Sequence, residues 1–209
     1  MNGSLSRPSV PGAPLPVRGC MKGTVVVGGM DWFIRRYGSA AAHEVVSRAS
    51  PATRPFVTPN APVLGLLGSR SYPYAVIGEL LRLMGEVARV PEEEFLRAVT
   101  AAGVTTAMST VNRIVLRYLA SPQEVARRAP EMWDMFYDSG HLSVVKCDDR
   151  EYVVQVSDWP YHDDTVCRIS MEARRFLIEK TGARDVQLFR DKCQRFGHDV
   201  CVSRVRWAG

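Results

Sequence analysis

Hydrophobic residues at helical spacing dominate the first half of the chain and predict four successive helices there. The first covers about residues 74–90, the second begins at Pro91, the third covers about residues 105–119, and the fourth begins at Ser121 and ends near Gly140. The start of the fourth helix is clearly marked, because Ser121 and Glu124 form a Ser-x-x-Glu capping pattern and Pro122 occupies the first helical position.

The segment before these helices has a different pattern. A β-branched run from Lys22 to Val27 predicts a short strand that ends at Gly28 and Gly29 and leads into a helix over about residues 31–48. The proline-rich residues 51–72 then predict a long connection.

After Gly140 the pattern changes from helical to alternating. Strands are predicted at 142–147, 152–156, 186–193 and 200–207, with a helix over residues 163–181 between the two pairs. This ββαββ order, preceded by a helical half, predicts an α+β fold in which helices pack on one face of a mostly antiparallel sheet.

Composition is typical of a folded globular protein, with 46% hydrophobic and 23% charged residues and no apolar run of membrane-spanning length. Residues 1–20 are rich in proline, glycine and serine and predict a disordered tail, which leaves residues 21–209 as a single domain. The five cysteines, an odd number in a chain without an export signal, indicate a reducing, cytoplasmic setting.

The net charge of +5 permits an acidic partner, but acidic residues are interspersed among the basic ones. No groove-reading motif or pattern of aromatic and basic residues accompanies the charges, so we do not expect nucleic-acid binding.

Three cysteines near the C-terminus are predicted to come together. A hairpin closing between Cys193 and Cys201 brings these two thiols close, and Cys167 lies on the helix that packs on the same strands. Such a trio can hold a metal ion, form a redox pair or fill a core, and the sequence leaves these alternatives open.

The fourth helix is unusually rich in large side chains. Met132, Trp133, Phe136 and Tyr137, with Tyr118 of the preceding helix, are the candidate residues for binding a ligand in an apolar cavity. The alternative is that these side chains only dock the helix on the sheet.

The C-terminal segment from Cys167 through Cys193 and Cys201 to Trp207 resembles the signature of the 4-vinyl-reductase domain. That domain shares a superfamily with haem nitric-oxide-binding domains and TRAPP-type trafficking subunits. Nearly the whole chain after the tail is similar to a paralogous family of myxobacteria within this group, through Lys22-Gly23, the stretches at 129–133 and 137–140, and the closing Val-Arg-Trp.

Related 4-vinyl-reductase domains are bacterial sensors of small aromatic molecules that hold zinc through cysteines at the same intervals. The resemblance therefore implies zinc as the cofactor and Cys167, Cys193 and Cys201 as its ligands. Where the sensors have a glutamate, this chain has Arg190, so Asp191, His198 or water is considered as the fourth ligand.

The resemblance to the haem-binding branch is weaker. The nearest approach to its Tyr-x-Ser-x-Arg element is the stretch from Tyr37 to Ala41, which lacks the arginine, and His43 is interpreted as an ordinary helical histidine. On these grounds the sequence predicts no haem.

These observations favour a non-enzymatic sensor or adaptor domain in bacterial signalling that binds a small hydrophobic molecule or a protein partner, with a homodimer as the expected assembly. The alternative is a thiol- or metal-dependent enzyme that uses Cys167, Cys193 and Cys201. The chain lacks the usual nucleophile and redox motifs, so no catalytic residue is assigned.

Overall fold

Five long helices and two antiparallel sheets make up residues 19–111 and 121–208, the part of the chain described by a computed structural model. The helices are α1 (Gly23–Arg48), α2 (Tyr74–Ala88), α3 (Glu92–Val111), α4 (Pro122–Phe136) and α5 (Asp164–Lys180). The strands are β1 (Cys20–Lys22), β2 (Ser71–Pro73), β3 (His141–Cys147), β4 (Glu151–Ser157), β5 (Arg184–Lys192) and β6 (Cys201–Ala208).

The second half of the chain forms the main sheet. Its four antiparallel strands lie in the order β3-β4-β6-β5, while β1 and β2 form a separate two-stranded sheet. Burial alternates along β4 and β6, as expected for strands with one face on a core. The α+β prediction is thus confirmed, including the ββαββ order of the sheet half.

Both helix starts that bear on the site are capped, and the predicted cap at Ser121 is confirmed. The Ser121 hydroxyl accepts a hydrogen bond from the Glu124 amide at 3.2 Å, and the Asp163 carboxylate accepts one from the Val166 amide at 2.9 Å. Gly78 on α2 lies against that carboxylate, and a Cβ there would overlap its oxygens. The start of α5 is therefore fixed by its cap and by close contact with α2.

The predicted strand from Lys22 to Val27 is wrong, because α1 already begins at Gly23. Gly28 and Gly29 do not end a strand: they let α1 approach α3, where a Cβ on Gly28 would lie 2.5 Å from Thr106 Cβ. Close tertiary packing thus overrides the β-branched propensity of this segment.

The predicted break between the second and third helices is also wrong, because α3 runs without interruption from Glu92 to Val111. Gly103 lies inside this helix and faces α1, where a Cβ would overlap the carbonyl oxygen of Val25. The rest of the predicted third helix lies outside the described residues.

The predicted tail falls mostly outside the described residues and stays a prediction. At the first described residues, the amides of Gly19 and Cys20 donate to the Asp138 carboxylate at 2.9 and 2.8 Å. Among the helices described, none combines the length and the apolar character needed to cross a membrane.

We expect Gly103→Ala to destabilise the protein, because the added methyl group must push α1 away from α3. Overpacking of this kind costs about 1–3 kcal/mol, more than the ~1 kcal/mol that alanine gains in a helix. Gly68→Ala is the control, since its Cβ meets only ordinary contacts at 3.5 Å or more. Urea unfolding measures both, and equal stability of the two variants would contradict this account of the α1–α3 contact.

Candidate functional site

An apolar cavity of about 130 Å³ lies where α1, α3, α4 and α5 meet beside β3. Its lining is mostly aliphatic, aromatic and thioether side chains. The lining residues are Val25, Val104, Ala107, Met108, Ala129, Met132, Trp133, Met135, Phe136, Tyr137, Leu142, Ile169, Ser170, Ala173, Arg174 and Leu177.

Four of the five ligand-binding candidates line this cavity, namely Met132, Trp133, Phe136 and Tyr137. Their role in binding stays a prediction, and Tyr118 lies outside the described residues. The Trp133 and Tyr137 rings stack with centroids 4.1 Å apart, and the Trp133 indole N–H donates to the Gly140 carbonyl at 3.0 Å. One wall of the cavity is thus a rigid aromatic pair with its polar N–H satisfied.

Tyr137 keeps its proton at this wall. Burial raises the pKa of Tyr137, an effect that the nearby Arg174 guanidinium only partly offsets. At neutral pH its hydroxyl is therefore a neutral group able to donate or accept a hydrogen bond.

Arg174 is the one charged residue among the described lining residues, and the sequence analysis missed it. It lies on α5 seven residues after Cys167, so the two side chains share one face of the helix. The sequence signal that could have identified Arg174 is its spacing of seven residues from Cys167, which puts an arginine on the helix face predicted to pack on the strands.

The three candidate metal ligands come together at the other end of the α5 face. The sulfur atoms of Cys167, Cys193 and Cys201, with one ring nitrogen of His162, all lie within 4.8 Å of one another. The Sγ atoms of Cys193 and Cys201 are 3.8 Å apart, and Cys193 Sγ is 3.5 Å from His162 Nε2. All three thiols are buried, while His162 is partly exposed.

The three thiols hold their protons unequally. Contact with the Cys167 thiol, whose single S–H can donate to only one of them at a time, lowers the pKa of Cys193 to about 6 and that of Cys201 to about 4, although burial opposes both shifts. The same contacts and burial raise the pKa of Cys167. Burial alone would lower the pKa of His162, but its hydrogen bonds and charge interactions with Cys201 and Cys193 raise it. These shifts favour the thiolate form at Cys193 and Cys201 over Cys167, and the thiolate is the form that binds metal ions.

Neither protein residue considered as the fourth ligand joins the cluster. Asp191 is exposed and pairs with Arg204 at 2.6 Å, and His198 is exposed in the turn. The pairing of β5 with β6 shifts register between Arg190 and Lys192, and this irregularity breaks the alternation that would have put Asp191 on the face of Cys193. The residue that does join the three cysteines, His162, was not among the ligand candidates of the sequence analysis.

Arg190, which the sequence analysis compared with a glutamate of 4-vinyl-reductase domains, lies close to the cluster. Its guanidinium is 3.5 Å from Cys193 Sγ and 2.6 Å from the Asp164 carboxylate. Because Asp164 pairs with it, Arg190 brings less net positive charge to the thiols than a lone arginine would.

An aromatic contact joins the two sites. The buried Trp159 ring lies edge-on to Trp133, which lines the cavity, and edge-on to His162, which belongs to the thiol cluster, with centroids 5.0 Å apart in both cases. A change in side-chain packing at either site therefore changes the contacts of Trp159.

Comparison with known proteins identifies the fold. No protein-family model and no curated protein matches the chain. Solved H-NOX structures do match: the Shewanella oneidensis protein in its Fe(II)NO state has a TM-score of 0.67 at 12% identity, covering 90% of this chain and 100% of that one. The Fe(II) protein from K. algicida has a TM-score of 0.67 at 10% identity, covering 90% and 97%.

A third H-NOX structure, from Shewanella woodyi and bound to IWP-051, has a TM-score of 0.62 at 11% identity and covers 89% of this chain and 94% of that one. The chain therefore has the H-NOX fold. At these identities the likeness concerns the fold alone, and the resemblance to 4-vinyl-reductase domains and to a myxobacterial family belongs to the proposals below.

The expectation of no haem is contradicted by these comparisons. The structures that share the fold include Fe(II) H-NOX proteins, and one was determined to probe haem distortion in the H-NOX family. They offer no support for zinc, whose case is limited to the Cys/His cluster. Among the described lining residues, Tyr137, Met108, Met132 and Met135 are of types that can ligate haem iron, and Arg174 could meet a carboxylate of the group.

We expect cysteine labelling to separate the five thiols by burial. Cys147 is exposed and should react fast with a thiol reagent, and Cys20 is partly exposed, whereas Cys167, Cys193 and Cys201 should react only when the protein unfolds. Mass spectrometry of labelled peptides measures this, and Cys147→Ser should remove the fast phase. Rapid labelling of Cys193 in the native protein would contradict the buried cluster.

Proposed function

We propose that this protein is a non-enzymatic small-molecule-sensing domain of bacterial signalling whose ligand occupies the apolar cavity. The observation that carries the proposal is the cavity itself, which is lined by Trp133, Tyr137 and several methionines. Its volume of about 130 Å³ suits a molecule near the size of benzene, since an apolar protein cavity of about 150 Å³ binds benzene.

The fold and the sequence resemblance both support sensing. One structure with the same fold has IWP-051 bound, and others are in Fe(II) states with or without NO. The resemblance to 4-vinyl-reductase domains and their myxobacterial relatives points to aromatic ligands, which Met-rich and aromatic walls accommodate well.

Haem is a second candidate occupant, favoured by the Fe(II) H-NOX structures and by Tyr137, the three methionines and Arg174 around the cavity. When bound, haem would supply an iron centre for a diatomic gas. Tyr137 or a methionine would ligate the iron, and Arg174 would pair with a carboxylate. Because haem is several times larger than benzene, the cavity would have to widen to admit it.

We expect Ala173→Leu to weaken binding of benzene-sized ligands at least about tenfold, because the larger side chain fills the cavity that Ala173 lines. A thermal-shift and calorimetric panel of small aromatic compounds, with haemin followed by its absorption spectrum, measures this. Ala40→Leu, at an exposed position of α1, is the control.

Binding that survives Ala173→Leu unchanged would place the ligand elsewhere. Failure of every compound in the panel, haemin included, would contradict a sensing role.

For the thiol cluster we propose a structural metal ion held by His162, Cys167, Cys193 and Cys201. A tetrahedral site with metal–sulfur bonds of about 2.3 Å separates its sulfurs by about 3.8 Å, and the Sγ atoms of Cys193 and Cys201 are 3.8 Å apart. Ligand sets of three cysteines and one histidine typically hold zinc in closed structural sites. Such an ion would cross-link α5 to the hairpin of β5 and β6.

We expect the purified protein to contain one metal ion per chain and His162→Ala to weaken metal binding at least about tenfold, because it removes one of four ligands. Elemental analysis identifies the metal, and competition with a chelator measures the affinity. His198→Ala, in the nearby turn, is the matched control and should behave as wild type. Absence of metal, or equal loss in both variants, would contradict the site.

Signal output by a homodimer or a protein partner remains a prediction. The alternative of a thiol-dependent enzyme has less support, because Cys167, Cys193 and Cys201 are all buried and a catalytic thiol must reach its substrate.

A further inference from the structure

Arg174 is a buried cation without a carboxylate partner among the described residues. Only 6% of the residue is exposed, and its guanidinium donates one hydrogen bond, at 2.9 Å, to the Ser203 hydroxyl on β6. Its buried Nε, like that of the neighbouring Arg175, has no hydrogen-bond partner among the described residues. The same residue lines the apolar cavity.

The neighbouring residue on α5 is also a buried arginine, but it has a carboxylate partner. Arg175 is 8% exposed, and its guanidinium pairs with the carboxylate of Glu172, one turn earlier. Buried charges are costly unless they are paired, so such pairing is the rule. Arg174, in contrast, lies at the cavity wall, and among the described residues its guanidinium meets only the neutral hydroxyl of Ser203.

The rest of the wall strengthens the contrast. Trp133 has already satisfied its N–H through Gly140 and Ser139, so it offers a ligand only its aromatic face. Ser170, whose hydroxyl donates to the Cys167 carbonyl at 2.7 Å, is likewise occupied. Arg174 is therefore the strongest polar determinant that the described lining presents.

We propose that the ligand of this cavity is a small carboxylate with an apolar body of about benzene size, bound through its carboxylate to Arg174. This deepens the proposed sensing function and rests on it. The carboxylate accepts hydrogen bonds from the terminal nitrogens of the guanidinium, and the apolar body packs against Trp133, Tyr137 and Met132. Charge-assisted hydrogen bonds of this kind are strong in a low-dielectric cavity.

Ser203 and Tyr137 support the arrangement. The Ser203 hydroxyl holds one terminal nitrogen of the guanidinium and so limits its rotation, which orients the remaining donors. Tyr137, kept protonated by its raised pKa, adds no negative charge beside the incoming anion. A neutral ligand of the same shape would leave the cation unpaired.

Benzoate and nitrobenzene test the proposal, because they have nearly the same shape but only benzoate is charged at neutral pH. In calorimetric titrations at pH 7 the wild-type protein should bind benzoate at least about tenfold more tightly than nitrobenzene, the difference expected for one charge-assisted contact. Arg174→Met should remove that preference while nitrobenzene affinity stays within about threefold. Arg174→Lys, which keeps the charge, should retain part of it.

Thermal unfolding without ligand separates a binding role from a structural one. Removing an unpaired buried charge should leave the melting temperature of Arg174→Met equal to or above that of the wild type, whereas loss of a structural contact would lower it. A clear loss of stability in this variant would overturn the proposal.

The outcomes also separate this inference from the sensing function. Nitrobenzene binding without a benzoate preference, or a preference that persists in Arg174→Met, overturns the carboxylate proposal and leaves sensing intact. Haem propionates offer the same carboxylate chemistry. If haemin binds in an Arg174-dependent way while benzoate does not, the carboxylate belongs to haem and the small-ligand proposal is wrong.

Discussion

The packing of one amphipathic helix between the sheet and the helical half is the constraint on which both sites depend. Helix α5 lies against β5 and β6 on one side and against α2, α3 and α4 on the other. Its inward face presents Cys167 to the hairpin and, two turns later, Arg174 to the cavity. Displacing this helix would disturb the thiol cluster and the cavity together.

That placement is itself fixed at the start of the helix. The Asp163 carboxylate caps α5 and fits against Gly78 of α2, where any side chain would overlap it. The residues just before the cap supply Trp159 and His162, so the loop into α5 joins the aromatic wall of the cavity to the thiol cluster. A ligand in the cavity and a metal ion in the cluster would thus both affect the conformation of this short loop before α5.

The sequence predicted the sheet half of the fold well because its signals are local. The alternation in β4 and β6 depends on near neighbours only, as does the cap at Ser121 in the helical half. The first helix was mispredicted because its stability comes from contact with α3 through glycines, a long-range effect that propensity cannot report.

The functional residues were likewise predicted only where their signals are local. The cysteine trio followed from the order of helix and hairpin, whereas His162 was missed because its position depends on how the loop before α5 folds back. The unpaired state of Arg174 could not be predicted at all, since it depends on which carboxylates the fold brings near.

A crystal structure of the protein with benzoate tests the central claim most directly. The account predicts ligand density in the cavity, with the carboxylate within hydrogen-bond distance of the Arg174 guanidinium and the ring against Trp133. Density elsewhere on the protein, or an Arg174 side chain paired with a protein carboxylate in a closed, filled core, would contradict it.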